Sequence, residues 1–183
     1  MWLWIPLVVV LVVDQASKYY ATHGLMAHPM GRLEVIPGVL DFFLQHNTGG
    51  AFSIGHEYPV VITAVSLVVI VGFFIWALRL PAHAHAARVA NGLILGGALG
   101  NLADRIRLQY VVDFIHFHRG DWYFATFNVA DMGISIGITW FICLAIFTKQ
   151  LDGPMGVAAD SPAAEPAEVA TDTVEPKAPT ADV

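Results

Sequence analysis

The sequence predicts a membrane all-α fold with a small β element: four transmembrane helices and a β-sheet lying on the membrane surface. Two observations predict it. Of 183 residues, 56% are hydrophobic and only 13% charged, with a mean hydropathy of +0.62, more apolar surface than a soluble domain of this size can bury. The apolar residues also fall into four runs of about the 20 residues a bilayer span needs, at residues 2–21, 59–78, 87–106 and 127–147.

The first run has no basic n-region, ends in "DQASK" and lacks a small-residue cleavage site, so it reads as a retained span and not as a removable leader. Pro59 suits the first turn of the second span, where its missing N–H costs nothing. The third is the least apolar. It carries Gly92, Gly96 and Gly100 at four-residue spacing, and the fourth carries Gly133 and Gly137 in the same register, so these two helices are expected to pack closely. Cys143, the single cysteine, reads as a small core hydrophobe of the fourth span.

Two loops differ from the short link "RLPAHAHAAR". Residues 22–58 contain Val, Leu and Phe runs broken at Pro37-Gly38, and residues 107–126 contain "YVVDFIHFH", a turn at Arg119-Gly120-Asp121 and "WYFATF". These patterns predict short strands, and an even number of spans puts both loops on one side. The expected organisation is a four-helix domain at 1–150 with interfacial β loops, then a disordered Ala/Pro-rich tail at 151–183. That tail holds seven acids against Lys177 alone, which accounts for the whole net charge of -6. The neutral body, its few cations balanced by acids, argues against a nucleic-acid partner.

Charge does not settle orientation. Lys18, Arg32, Arg105, Arg107 and Arg119 lie on the strand-rich side, against Arg79, Arg88 and Lys149 opposite, so a positive-inside count would turn the strands to the cytoplasm. Several of these cations sit at span ends, where a functional site can own them.

The polar residues within the spans gather at that same end. Asn101, Asp104 and Arg105 in "GNLADR" are spaced to share one helical face, Asn128 and Asp131 open the fourth span in "FNVAD", Asp113 lies in the loop joining them, and Asp14 and Lys18 form an i, i+4 pair. An ionisable group at membrane depth costs about 2.5 kcal/mol or more unless paired or hydrated, and Asp131 has no cation within its own helix. Two neighbouring carboxylates resist ionising together, so one holds a proton while the other stays charged, which supplies a general acid and a general base. Serine chemistry is disfavoured because "AFSIG" has Ala51 where a nucleophile elbow needs glycine. The pairs His83/His85 and His116/His118 would each share a strand face but lack an acid framework for metal. The alternative reading is a proton-coupled transporter or channel component with Asp14, Asp104 and Asp131 as relay groups; the clustering of acids at one face and the lack of an internal repeat weigh against it.

"DQASK", "HNTGGAFS", "GGALGNLADRI", "YVVDFI" and "FNVAD", in this order across residues 2–148, resemble the motifs of lipoprotein signal peptidase (signal peptidase II), the bacterial intramembrane aspartyl peptidases. The resemblance implies four spans with a surface sheet (cradle) and small loop helix on the outer side of the cytoplasmic (inner) membrane, both termini cytoplasmic, no cofactor, and cleavage of diacylglyceryl-modified prolipoproteins before the lipidated cysteine. It implies Asp113 and Asp131 as the catalytic dyad, and Asn47, Asn101, Asp104, Arg105 and Asn128 as supporting or substrate-binding residues. Asp14 and Lys18 would be structural. Membrane lipid and cyclic peptide inhibitors of the globomycin kind would be ligands. The chain departs from the family at Met132, where serine is usual, at Gly50, where alanine is common, and at Gln109, where glycine often stands.

Overall fold

The computed structural model describes residues 1–49 and 57–147. The expected tail at 151–183, Lys149 and the "GAFSIGH" part of the first loop lie outside the described residues.

Four helices form where the apolar runs predicted them: α1 Trp4–Leu25, α2 Pro59–Arg79, α3 His85–Leu108 and α4 Val129–Phe147. At 1.5 Å per residue each is about as long as a bilayer core is thick, give or take a turn. Among the described residues, α2 and α4 are apolar enough to cross a membrane by composition alone; α1 and α3 have the length but carry the ionisable residues. On α1, Leu7, Val10, Asp14, Lys18, Ala21 and Leu25 are buried at helical spacing, while Val8, Val9, Val12 and Val13 are exposed. An outward apolar face of this kind, repeated on α2 and α4, belongs against lipid, not water.

The glycine faces divide differently from expectation. α3 and α4 do pack, but the Gly92/Gly96/Gly100 stripe of α3 receives α1: a Cβ on Gly92 would meet the Leu3 carbonyl oxygen, and one on Gly96 would lie 2.6 Å from that of Leu7. α4 instead lies on Gly97, where a Cβ would strike the Ala130 carbonyl oxygen, while Gly133 admits Val10 and Gly137 admits Ala90 and Ile94. Two neighbours on opposite flanks each need close backbone approach, because lipid tails supply no hydrophobic drive between helices and tight packing must hold them.

The two loops combine, as predicted, into one antiparallel sheet at one end of the bundle, in the order β1 Arg32–Ile36, β2 Leu40–Asn47, β3 Val111–Arg119 and β4 Trp122–Tyr123. Residues 119–121 turn the β3–β4 hairpin, with Gly120 at φ 58°. The small loop helix has one short counterpart among the described residues, the 3-10 turn Pro29–Gly31. Asp41, fully buried on β2, is gripped by Arg32 of β1 and lies 3.0 Å from His118 of β3, tying three strands together.

Two smaller expectations are corrected. Cys143 is exposed, because its position is turned about 100° around α4 from Leu144 and the buried stripe of Ala130, Gly133 and Gly137. His83 sits in the link and His85 opens α3 against Trp2, at 5.2 Å between rings, so that pair shares no strand. His116 and His118 do stack on β3, at 5.6 Å, yet no group of three His, Cys, Asp or Glu among the described residues is placed to hold a metal ion.

Gln109 ends α3 in the left-handed region at φ 69°, its N–H donating to the Arg105 carbonyl. This explains why glycine suits the position. Gln109→Gly is expected to stabilise the protein by about 0.5–1 kcal/mol, since relief of the Cβ clash exceeds the extra unfolded-chain entropy of glycine. A thermal shift in detergent measures it, and an unchanged or lower midpoint contradicts it.

Candidate active site

The site assembles because the chain entering α4 is pinned to the sheet. Phe127 bridges Ile115 of β3, with Ile115 N–H to Phe127 O at 2.9 Å and Phe127 N–H to Ile115 O at 3.1 Å. Asn128 therefore starts α4 beside Asp113. Its Nδ2 donates to Asp113 Oδ1 at 2.6 Å, and its Oδ1 accepts the Asp131 N–H at 3.0 Å while its own N–H donates to Asp131 Oδ2 at 3.2 Å. That reciprocal pair is a capping box. It answers why an acid stands near the start of an apolar helix: Asp131 satisfies an orphan N–H and sits at the positive end of the helix dipole. The N-x-x-D spacing of "FNVAD" carried this signal, and the motif-by-motif sequence reading missed it.

Asp113 lies on β3, 2% exposed. β2 holds one extra residue between its Phe42 and Gln45 pairings, after which Gln45 opposes Asp113 and Asn47 opposes Val111. Asn47 is thus the diagonal same-face neighbour of Asp113, and its Nδ2 donates to Asp113 Oδ2 at 3.0 Å. Burial first, and then the Asp131 charge, push the Asp113 carboxyl up from 3.8 to about 7, against the opposing pull of Asn47, Asn128 and Lys18. Asp131 receives Asn101 Nδ2 at 2.8 Å. Both carboxylates line one cavity, with the side-chain amides of Asn101 and Asn128 bonded between them.

The expected common face of Asn101, Asp104 and Arg105 splits. A residue three positions on rotates about 60° one way and one four positions on about 40° the other, which is enough to separate them. Asn101 and Arg105 line the cavity, and Arg105 also reaches the Gly49 carbonyl at 2.8 Å. Asp104, fully buried, turns to α1 and to the start of β3: it meets Lys18 Nζ at 2.9 Å and accepts the Val112 N–H at 3.2 Å. Lys18 also meets Asp14 at 2.9 Å, as its spacing predicted. Gln15, to which the sequence reading gave no role, donates to Asp104 Oδ1 at 3.1 Å and to the Gly100 carbonyl at 3.2 Å. Breaking such a buried set by removing one partner costs about 3–5 kcal/mol.

The cavity has a volume of about 770 Å³ and continues from the carboxylates as an apolar trough lined from α2, α3 and α4. α2 packs along α3 and meets α4 through Trp76 and Phe141, whose rings lie 4.6 Å apart. The cavity lining on α4 extends from Asp131 to Ile138, about 10 Å along the helix, so the trough runs between α2 and α4 from the acids toward that aromatic contact. Met132 borders it, occupying the place where the resemblance leads one to expect serine.

Carboxylates at the polar end of an apolar trough, in a bundle whose outer faces suit lipid, define a class: a membrane enzyme fitted for acid–base hydrolysis. Comparison with known proteins narrows it. Residues 6–147 match the family described as Signal peptidase (SPase) II. The chain is 43% identical to a lipoprotein signal peptidase of Coxiella burnetii over 154 residues, covering 81% of this chain and 91% of that protein, and 39% identical to one of Pseudomonas fluorescens over 161 residues, covering 83% and 90%. A bacterial membrane enzyme solved by the in meso method at 2.3 Å resolution superposes with a TM-score of 0.60 at 32% identity, covering 78% of this chain and 85% of that one. The chain belongs to the signal peptidase II family of aspartic peptidases, and it removes signal peptides from prolipoproteins.

Proposed function

We propose that Asp113 and Asp131 are the catalytic dyad of this peptidase, and that its substrates are diacylglyceryl-modified prolipoproteins cut before the lipidated cysteine. One observation carries the reading: two carboxylates from separate elements, each held by side-chain amides, face one cavity where an apolar trough ends. The trough suits the apolar segment of a signal peptide and the acyl chains. The carboxylates supply the chemistry. Asp131, held by two N–H donors, is the base that takes a proton from water as its oxygen attacks the scissile carbonyl. Asp113, its carboxyl pushed up to about 7, still holds a proton in a large share of molecules at neutral pH and gives it to the carbonyl oxygen. Asp131 then gives its proton to the amide nitrogen while Asp113 takes one from a hydroxyl of the tetrahedral carbon, which breaks the C–N bond, frees the signal peptide with a new carboxyl end and restores both acids. Arg105, Asn47 and Asn101 border the reacting bond and orient it.

The same reading has all four helices crossing the cytoplasmic (inner) membrane, with the sheet and site at its outer face and both termini in the cytoplasm. The charges that favour the opposite orientation have other work: Lys18, Arg32, Arg105 and Arg107 are each engaged with acids or carbonyls of the site and sheet. Cyclic peptides of the globomycin kind are expected to occupy the trough. Incubating the purified enzyme with a lipidated prolipoprotein, with and without such a peptide, and following product mass tests the substrate and the ligand together.

Acidity should control turnover through Asp113. Its carboxyl binds, up to about pH 7, a proton that an unfolded aspartate releases near 3.8. The contribution to stability therefore falls as pH rises between those values, and activity requiring the protonated acid falls as pH rises through about 7. Asn47→Ala removes a hydrogen bond that favours the charged form, so its alkaline limb should move to higher pH. A limb that stayed put or moved down would contradict the assignment of Asp113 as the acid.

A further inference from the structure

Lys18 lies in α1, 3% exposed, away from the trough. Its ammonium has three protons and meets three acceptors, Asp14 Oδ2, Asp104 Oδ2 and Asn101 Oδ1, each at 2.9 Å. What those acceptors hold is the informative part. The second oxygen of Asp14 accepts the N–H of Ala130 at 2.9 Å, the residue immediately before Asp131. Asp104 accepts the N–H of Val112 at 3.2 Å, the residue immediately before Asp113. Asn101 passes the third contact on directly, its Nδ2 donating to Asp131 at 2.8 Å.

We propose that Lys18 is a positioning residue that sets the separation of Asp113 and Asp131, through one carboxylate tether to the backbone before each of them. The inference rests on the dyad reading above. Asp113 rides on the sheet and Asp131 on a helix, elements from different parts of the chain, and their carboxylates do not bond to each other. A structural ion pair within α1 needs only Asp14. The second and third partners, Asp104 and Asn101, come from α3 and make one cation the common reference for both halves of the site. Loss of that reference leaves both acids present and the trough intact, but lets the gap that holds water and carbonyl drift.

The test is steady-state cleavage of a lipidated precursor by full-length enzyme in nanodiscs, comparing Lys18→Met with the triple variant Lys18→Met/Asp14→Asn/Asp104→Asn. The triple variant leaves neither Asp14 nor Asp104 as an uncompensated buried charge, so it guards against simple unfolding. The expected result is a fall in kcat of about 100-fold per folded enzyme, the scale of a displacement near 1 Å, with KM changed by less than about threefold because the trough is untouched. The alkaline limb of Lys18→Met should also move to higher pH, since a cation facing Asp113 is lost while Asp131 from α4, Arg105 from α3 and Asn47 from β2 remain. Unchanged kcat per folded enzyme in either variant overturns the proposal. Asp113→Asn, run alongside, separates the two readings: its turnover would defeat the dyad itself, whereas a dead Asp113→Asn beside an active Lys18 variant defeats only the tether.

Discussion

Asp113→Asn and Asp131→Asn each reduce cleavage by at least the 10²–10⁴-fold typical of losing a positioned acid or base, while the protein still inserts and folds. Asparagine keeps the shape of the side chain but can neither take up nor give up a proton near neutral pH. Both variants lose an acceptor. Asp113→Asn turns an amide NH2 toward Asn47 Nδ2 or Asn128 Nδ2, each of which donates to the carboxyl, at a cost of about 1–3 kcal/mol, offset in part because burial opposes the charge it removes. Asp131→Asn presents an amide where the Asn128 N–H expects an acceptor, weakening the capping box by about 1 kcal/mol. Thermal midpoints and kcat/KM measured on the same preparations check both statements. Appreciable turnover by either variant would remove that residue from the dyad.

The second large effect is on substrate form. In matched precursors presented in the same nanodiscs, removal of the diacylglyceryl group is expected to lower kcat/KM by about 100-fold or more. Acyl chains contribute about 0.8 kcal/mol per buried methylene, and they anchor the cysteine at the depth where Asp113 and Asp131 lie. Without that anchor the scissile bond seldom reaches attack geometry, and a misplacement of about 1 Å is already worth a factor near 100. The trough between α2 and α4 gives the chains and the signal segment a place to lie beside the acids. Equal kcat/KM for the two precursors would rule out lipid anchoring as the basis of selection.

Much of the architecture was legible as local pattern. The apolar runs located α1 to α4 to within about a turn, with differences at the polar ends of α1 and α3. There Thr22 to Leu25, Arg107 and Leu108 remain helical although their composition had marked them as loop. Strand alternation and the Pro37-Gly38 and Arg119-Gly120-Asp121 breaks located the hairpins. The pairing of Asp14 with Lys18 followed from i, i+4 spacing. Contacts between distant segments were less legible. Glycine spacing announced that α3 packs closely, and it does pack on α4, but which glycines meet which helix was not in the spacing: α1 takes the Gly92/Gly96/Gly100 stripe and α4 lies on Gly97. Asp104 and Arg105 are adjacent in sequence, yet the helix turns one toward Lys18 and the other toward the cavity.

The sequence by itself determined that this chain is a helical membrane protein with a strand-forming end, that its ionisable residues collect at that end, and, through five ordered motifs, the family to which it belongs. Composition and periodicity are properties of neighbouring residues, and the solvent preference they express does not depend on how the chain closes. Only the tertiary structure decided which acids face each other. The Phe127–Ile115 bridge carries Asn128 to Asp113, and the added residue in β2 brings Asn47 diagonal to it. Lys18 joins Asp14 to Asp104 across two helices. These are hydrogen bonds between segments far apart in the chain, satisfied where water is scarce and an unmet polar group is costly, and their geometry exists only once the helices and sheet have closed on one another.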